Sequence, residues 1–306
     1  MGKVLAVCIS EHKGTQKRDV KTAKFVPDWG IEGDAHAGKW HRQVSLLSHD
    51  RIEAFRARGA EVDHGAFGEN LVVEGIDFAT LPLGTRFRCG DVLLELTQIG
   101  KECHSHCEIF KKMGECIMPT QGVFTRVLKG GTISAGDELE VLPPALRAAV
   151  VTASDSGFAG TREDLSTPAA AALLEGAGYR VVHTVILPDD RSQLCAELIR
   201  LCDGDLADLI VTTGGTGFSP TDCTPEATMD AVERPAPGIA EAMRMNSLGI
   251  TPRAMLSRAA AGIRRGALIV NLPGSPKAVR ECLEYVLPSL EHGLQILKGT
   301  TGNCAR

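Results

Sequence analysis

Residues 208–228 read DLIVTTGGTGFSPTDCTPEAT, and this order of residue types permits few local folds. Leu209-Ile210-Val211 is an apolar run long enough for one buried parallel strand and no more. It passes directly into Thr212, Thr213, Gly214, Gly215, Thr216 and Gly217. The three glycines permit positive φ and close approach of a ligand to the backbone, and the three hydroxyls can donate hydrogen bonds. Such a loop suits phosphate, or it is the tight strand-to-helix turn of an ordinary α/β domain. No GK[ST] follows, so it is not a P-loop. Thr224-Pro225-Glu226 then reads as an N-cap with proline at the first helical position. Asp222 therefore stands just before a helix start, where a carboxylate can serve a metal or a nucleotide.

Around that stretch, from Arg147 onward, strands alternate with helices. AAVVTAS, YRVVHTVILP, ADLIVTTGG and ALIVNLPG read as strands; EDLSTPAAAALLEGAG and RSQLCAELIRLCDG read as helices, the second with Leu194, Leu198 and Leu201 on one face. This predicts a three-layer α/β domain, in which a ligand sits outside the carboxyl ends of the strands. Those ends carry Ser154-Asp155-Ser156, Asp189-Asp190, the glycine loop with Asp222, and the run Asn271 to Lys277. Any one set could be a turn or a cap, and Asp189 after Pro188 could cap a helix. Four sets on one rim make a site.

A length of 306 residues favours two domains, and LPPALR (142–147) has two prolines that stop a strand and separate them. The net charge of -5, with neither half basic, argues against nucleic acid as a partner. No apolar run is long enough to span a membrane, and KVLAVCIS reads as a first strand rather than a signal peptide, so a cytoplasmic protein is expected. The ten cysteines lack disulfide-scaffold spacing and should be mostly free.

The first half reads differently. LPLGTRFRCGDVLLELTQ (81–98) and GGTISAGDELEVL (130–142) each place a Gly-Asp turn between short strands, with Val92, Leu94 and Leu96 on one face. Many short strands with little helix, apart from Asp50 to Gly59, predict a β-barrel. The lysines of residues 11–24 read as a solvated loop or an anion-binding rim. Asp34, His36 and His41 read as a polar pocket wall more readily than a metal site. In TQIGKECHSHCEIF, Cys103, His104, His106 and Cys107 crowd together beside Lys101. Zinc, a reactive thiol activated by nearby cations, and inert loop cysteines all remain open readings.

Both halves resemble known families. GIEGDAH, HRQVSLLS, FGENLVVEGID, TQIGKECH and GVFTRVLKGG, in that order, resemble a MOSC domain, assigned to 1–143. That resemblance implies a β-barrel that binds or sulfurates molybdenum cofactor through a cysteine, matched to Cys103 with Cys107 second. SDSG, ILPDD, TTGGTG, DxTPE, LSR and NLPGSPK resemble the MogA/MoaB-type molybdopterin adenylyltransferases, the type also found in gephyrin, over 144–306. The implied reaction joins ATP and molybdopterin into adenylylated molybdopterin and pyrophosphate, with Mg²⁺. The resemblance makes Asp189 and Asp222 the catalytic and metal-holding positions. It places Ser154, Asp155, Thr213, Gly214, Gly215, Thr216, Gly217, Ser257, Arg258, Asn271, Pro273, Gly274, Ser275 and Lys277 on the cofactor and nucleotide. It further implies a homotrimer, with a separate molybdate-insertion protein and molybdoenzymes as possible partners. The alternatives are a non-catalytic molybdopterin carrier or scaffold, and a MOSC sulfur carrier or reductase supplied with cofactor by the second half.

Overall fold

The computed structural model of the chain describes residues 1–102 and 108–299. It divides into two compact units, Met1–Ala145 and Leu146–Arg306.

The first unit is a closed barrel of seven strands: β1 (Gly2–Ile9), β2 (Val44–Ser48), β3 (Leu71–Glu74), β4 (Arg86–Cys89), β5 (Val92–Ile99), β6 (Val123–Lys129) and β7 (Glu138–Leu142). Around the barrel the order is β7-β4-β5-β6-β2-β3-β1, and β1 returns to β7 with Gly2 opposite Leu139. Every neighbouring pair is antiparallel except β2 and β3, which run parallel. Alternation along β5 sends Val92, Leu94 and Leu96 inward, where they meet Val4, Leu46, Phe87 and Leu139 in one fully buried core. Register shifts between Val4 and Ala6 and between Leu96 and Gln98 supply the local bend that closing a small barrel requires. The helix His49–Arg56 covers the outer face of the sheet through Ile52 and Phe55.

Two local expectations need correction. Gly90-Asp91 does close the β4–β5 hairpin, with Cys89 opposite Val92. Gly136-Asp137 closes none: Gly131–Ser134 pairs with Thr22–Val26, whereas β7 pairs with β4 and β1. The turn chemistry is the same at both places, and barrel closure decides which edge takes each strand. Among the lysines of 11–24, Lys17 is 5 % exposed, and its ammonium lies 2.7 and 2.8 Å from the two carboxylate oxygens of Asp34.

The second unit carries β8 (Arg147–Ala153), β9 (Arg180–Leu187), β10 (Leu209–Thr213), β11 (Ala261–Arg264) and β12 (Ala267–Leu272). The sheet order is β9-β8-β10-β12-β11, with the short strand Arg234–Pro235 at the far edge. The first four strands are parallel. Its helices are α1 (Asp155–Phe158), α2 (Ser166–Gly176), α3 (Arg191–Asp203), α4 (Thr224–Ala231), α5 (Pro237–Leu248) and α6 (Pro276–Leu297). Side chains of α2, α5 and α6 pack on one sheet face around Val150, Val211 and Val270. Those of α3 and α4 pack on the other around Val151, Ile210 and Ile269. Leu194, Leu198 and Leu201 are all fully buried there, as their spacing predicts.

Two helix starts differ from the sequence reading. Helix α2 begins at Ser166 rather than near Glu163, because the Asp164 carboxylate accepts the backbone N–H groups of Ser166 and Thr167. In α4 the position before the helix is Cys223, and the Thr224 side chain makes no capping bond.

Candidate functional site

In the parallel sheet, β9 lies on one side of β8 and β10 on the other, so chain order reverses between β8 and β10. Loops leaving two such strands diverge to opposite faces of the sheet and leave a crevice at their carboxyl ends. A cavity of about 540 Å³ opens there, bounded by Ser154, Asp155, Asp189, Gly214, Asp222 and Ser275 among others. That volume lies within the roughly 300–1,000 Å³ typical of small-molecule sites.

The glycines of the loop after β10 are dictated by backbone contact. Gly214 has φ +85°, and a Cβ there would lie 2.3 Å from the carbonyl oxygen of Ala153. A Cβ on Gly274 would in turn lie 3.2 Å from the Cα of Gly214. The ends of β8, β10 and β12 thus meet backbone to backbone, and Ala153, Gly214 and Gly274 all line the cavity.

Asp155 and Asp189 brace each other across β8 and β9. The Asp155 N–H donates to Asp189 Oδ2 at 3.1 Å, and the Asp189 N–H donates to Asp155 Oδ1 at 3.0 Å. The neighbouring Asp190 caps α3 by accepting the Gln193 N–H, so Asp189 is free of that duty. Its Oδ1 is buried with no hydrogen-bond partner among the described residues. Burial, followed by the charges of Asp155 and Asp222, pushes the Asp189 carboxyl above its usual range. Asp222 reaches the same cavity from the other loop, its Oδ2 accepting the Ser219 N–H at 3.2 Å. Ser154 caps α1 through the Gly157 N–H, and Ser275 caps α6 through the Ala278 N–H; both line the cavity.

Thr213 also lines the cavity, its side chain fully buried with the hydroxyl 3.1 Å from that of Thr152. Thr216, Gly217, Ser257, Arg258, Asn271, Pro273 and Lys277, also named from the sequence, are not part of the lining. Asn271 is fully buried too, donating to the hydroxyls of Thr212 and Thr228 and accepting the Ala260 N–H. Arg258 donates to the carbonyls of Gly217 and Asp222 and pairs with Glu226, which fastens the 217–222 loop. Its own N–H holds the Thr216 carbonyl at 2.9 Å. Ser257 accepts from Arg244 through its carbonyl, and Pro273 is half-buried in the turn after β12. Lys277 is largely exposed, 3.7 Å from Glu281.

The sequence reading missed the part of the wall formed by Arg162, Glu163, Asp164 and Ser166. Its only local signal is the Asp164 cap. Among the described residues lining the cavity, five are carboxylates (Asp155, Glu163, Asp164, Asp189 and Asp222) and Arg162 is the lone cation. No grouping of three or more metal-ligating His, Cys, Asp or Glu occurs among the described residues.

In the first unit, Cys103 and Cys107 lie outside the described residues. Asp34 and His36 lie together, with His36 Nδ1 3.8 Å from Asp34 Oδ2, and Asp34 is further held by Lys17, the Ser10 N–H and Asn70; His41 instead lies 2.9 Å from Gln98. The His36 Nδ1 and Ser10 Oγ are buried without hydrogen-bond partners among the described residues. Burial, then the charges of Lys17, Lys101 and Lys13, pushes the His36 imidazole below its usual range. Among the described residues Cys8, Cys89, Cys195, Cys202, Cys223 and Cys282 form no disulfide. No helix among the described residues is long and apolar enough to cross a membrane.

Comparison with known proteins separates the halves in the same way. A family profile described as "Probable molybdopterin binding domain" matches residues 149–292, and one described as "MOSC domain" matches residues 33–140. A molybdopterin adenylyltransferase of Helicobacter pylori is 44% identical over 152 residues, covering 49% of this chain and 86% of that protein. The molybdopterin adenylyltransferase of Escherichia coli K12 is 40% identical over 143 residues, covering 46% of this chain and 73% of its own length. Gephyrin of Dictyostelium discoideum is 40% identical over 157 residues, covering 48% of this chain and 22% of gephyrin. The crystal structure of the molybdopterin biosynthesis enzyme MoaB from Thermus thermophilus is 45% identical, covering 50% of this chain and 97% of its own, with a TM-score of 0.48.

Proposed function

Because the chain belongs to the molybdopterin adenylyltransferase family through its second half and carries a MOSC domain in its first, we propose that it transfers AMP from Mg²⁺-bound ATP to molybdopterin, releasing pyrophosphate. The domains assigned to these roles are 144–306 and 1–143. The observation that carries the reading is the pair Asp189 and Asp222, which reach one cavity at the point where strand order reverses.

The cavity's charge supports a divalent cation. Five carboxylates facing one guanidinium would repel the phosphates of a nucleotide unless a cation entered with them. Asp189 supplies a buried carboxylate oxygen with no hydrogen-bond partner among the described residues, and Mg²⁺ is commonly held by one or two carboxylates plus substrate phosphates. Asp189 and Asp222 would hold it. Bound there, the ion would offset charge on the phosphates and the departing pyrophosphate. The chain's own groups orient the reactants. The amides and hydroxyls of Thr213 to Gly217, with Ser275, cradle the phosphate of molybdopterin; Ser154 and Asp155 bound its pterin end. Arg258 acts by fixing the loop that carries Asp222, and Lys277 adds positive charge at the rim.

The MOSC domain is assigned binding or sulfuration of a cofactor form, with Cys103 or Cys107 as its thiol. The charges of Lys101 and Lys13 near His36 support an anionic ligand in that unit. The protein is assigned to the cytoplasm. Copies are assigned to a trimer; Met245, Ile250 and Met255, 74%, 50% and 64% exposed in and around α5, are apolar side chains that an interface could cover.

The test is AMP transfer from labelled ATP to purified molybdopterin with Mg²⁺, comparing the intact chain with Asp222→Ala. Formation of adenylylated molybdopterin by the intact chain, abolished in the variant while thermal stability is kept, supports the enzyme. Binding of molybdopterin without adenylate formation makes the second half a carrier.

A further inference from the structure

Of the two cations that the motifs of the site supply, neither lines the cavity. Arg258 donates to the Gly217 and Asp222 carbonyls and pairs with Glu226, behind the loop it fastens. Lys277 stands off the lining, largely exposed and 3.7 Å from Glu281. Arg162 does line the cavity, and its guanidinium makes no hydrogen bond or ion pair among the described residues. Carboxylates share that lining, yet Arg162 pairs with none of them. Every N–H donor of its fork is therefore open to a ligand.

The backbone that carries Arg162 is fastened on both sides. Upstream, the Ser156 carbonyl accepts the N–H groups of Thr161 and Arg162 at 3.0 and 3.2 Å and the Thr161 hydroxyl at 3.1 Å. Downstream, Asp164 accepts the N–H groups of Ser166 and Thr167 at 2.9 and 3.1 Å, and the Ser166 hydroxyl donates to the Gly274 carbonyl at 2.7 Å. That last bond ties the segment to the loop after β12, and Ser156, Asp164, Ser166 and Gly274 line the cavity with Arg162. A side chain on a held backbone gives up only its own rotamer freedom when a ligand binds, which favours a contact made through it.

We infer that Arg162 is a substrate-binding residue whose guanidinium takes a phosphate group of the ligand through two parallel N–H bonds. The planar fork matches two phosphate oxygens, and hydrogen bonds between charged groups are about twice as strong as neutral ones. In a wall otherwise rich in carboxylates, Arg162 is the point at which phosphate oxygens are attracted rather than repelled. The inference rests on the adenylyltransferase reading for the identity of the ligands, molybdopterin and Mg²⁺-bound ATP, each of which carries phosphate.

The test compares Arg162→Gln and Arg162→Lys with the parent full chain, titrating a Mg²⁺-bound, non-transferable ATP analogue and molybdopterin separately by calorimetry. Arg162→Gln is expected to keep the parental thermal midpoint, since the side chain has no described partner to lose. It should bind at least one of the two ligands about tenfold more weakly or worse. Arg162→Lys keeps the charge without the fork and should fall between. For the affected ligand the loss should vanish when the phosphate is removed, with adenosine or dephosphorylated molybdopterin as the probe. A loss for the nucleotide assigns Arg162 to the polyphosphate, and a loss for molybdopterin assigns it to the monophosphate. Affinities of Arg162→Gln within about twofold of the parent for both ligands overturn the inference. An equal loss for the ligands without phosphate also overturns it, as does full parental affinity in Arg162→Lys. AMP transfer is measured alongside. A parent that transfers no AMP while the phosphate-dependent loss persists refutes the adenylyltransferase reading and keeps Arg162; transfer by the parent with unchanged affinities in Arg162→Gln refutes Arg162 and keeps the reading.

Discussion

Asn271→Ala separates a residue that braces the site from one that touches ligand. Its side chain makes three hydrogen bonds inside the second unit: to Thr212 Oγ1 at 3.0 Å, to Thr228 Oγ1 at 2.7 Å, and from the Ala260 N–H at 3.1 Å. Each links a different element to β12, namely β10, α4 and the segment before β11. At about 1 kcal/mol net per bond, the alanine variant should lose about 3 kcal/mol. For a unit of this size that corresponds to a midpoint lowered by roughly 6–12 °C. Differential scanning calorimetry of the full chain measures the loss. KM and kcat for AMP transfer, taken well below the transition, should change less than threefold, on the order of 0.6 kcal/mol. An unchanged midpoint with a tenfold rise in KM for molybdopterin would refute the bracing argument and place Asn271 on the ligand.

Two further perturbations test the first unit. Lys17→Met leaves the Asp34 carboxylate buried without its cation and should cost about 3–5 kcal/mol in urea unfolding. Adding Asp34→Asn should cost less than the sum of the two single changes, and strict additivity would show the pair is not coupled. Glu69 is fully buried, with its oxygens accepting the Gly65 and Phe67 N–H groups, and burial pushes its carboxyl up to about 7. A folded value above the unfolded one near 4.5 means that the folded state holds the proton more tightly. Its contribution, about 3 kcal/mol, is therefore present below pH 4.5 and lost as pH rises through 7. Unfolding free energy measured from pH 4.5 to 8 should fall more steeply in the parent than in Glu69→Gln, and equal slopes would contradict this.

The periodicity of apolar residues, the glycines and the strand-end polar residues determine most of what this chain becomes. Val92, Leu94 and Leu96 alternate, and Leu194, Leu198 and Leu201 recur at helical spacing, because burial of one face requires those periods and little else. The family motifs likewise lie in contiguous stretches, so both halves are legible without coordinates. What only tertiary structure decides is which polar group meets which. The Gly136-Asp137 turn looks like a hairpin and is none, since barrel closure gives β7 its partners. Asp189 and Asp190 are neighbours of identical chemistry, and only the path of α3 makes one a cap and leaves the other facing the cavity. Asn271 and Arg258 belong to motifs of the site, yet they fasten its loops from behind. Lys17 sits in a run of charges that reads as solvated, and it is buried because Asp34, seventeen residues on, folds over it. Hydrogen bonds and ion pairs act over about 3 Å in space with no fixed period along the chain, so sequence spacing can announce a polar residue but not its partner.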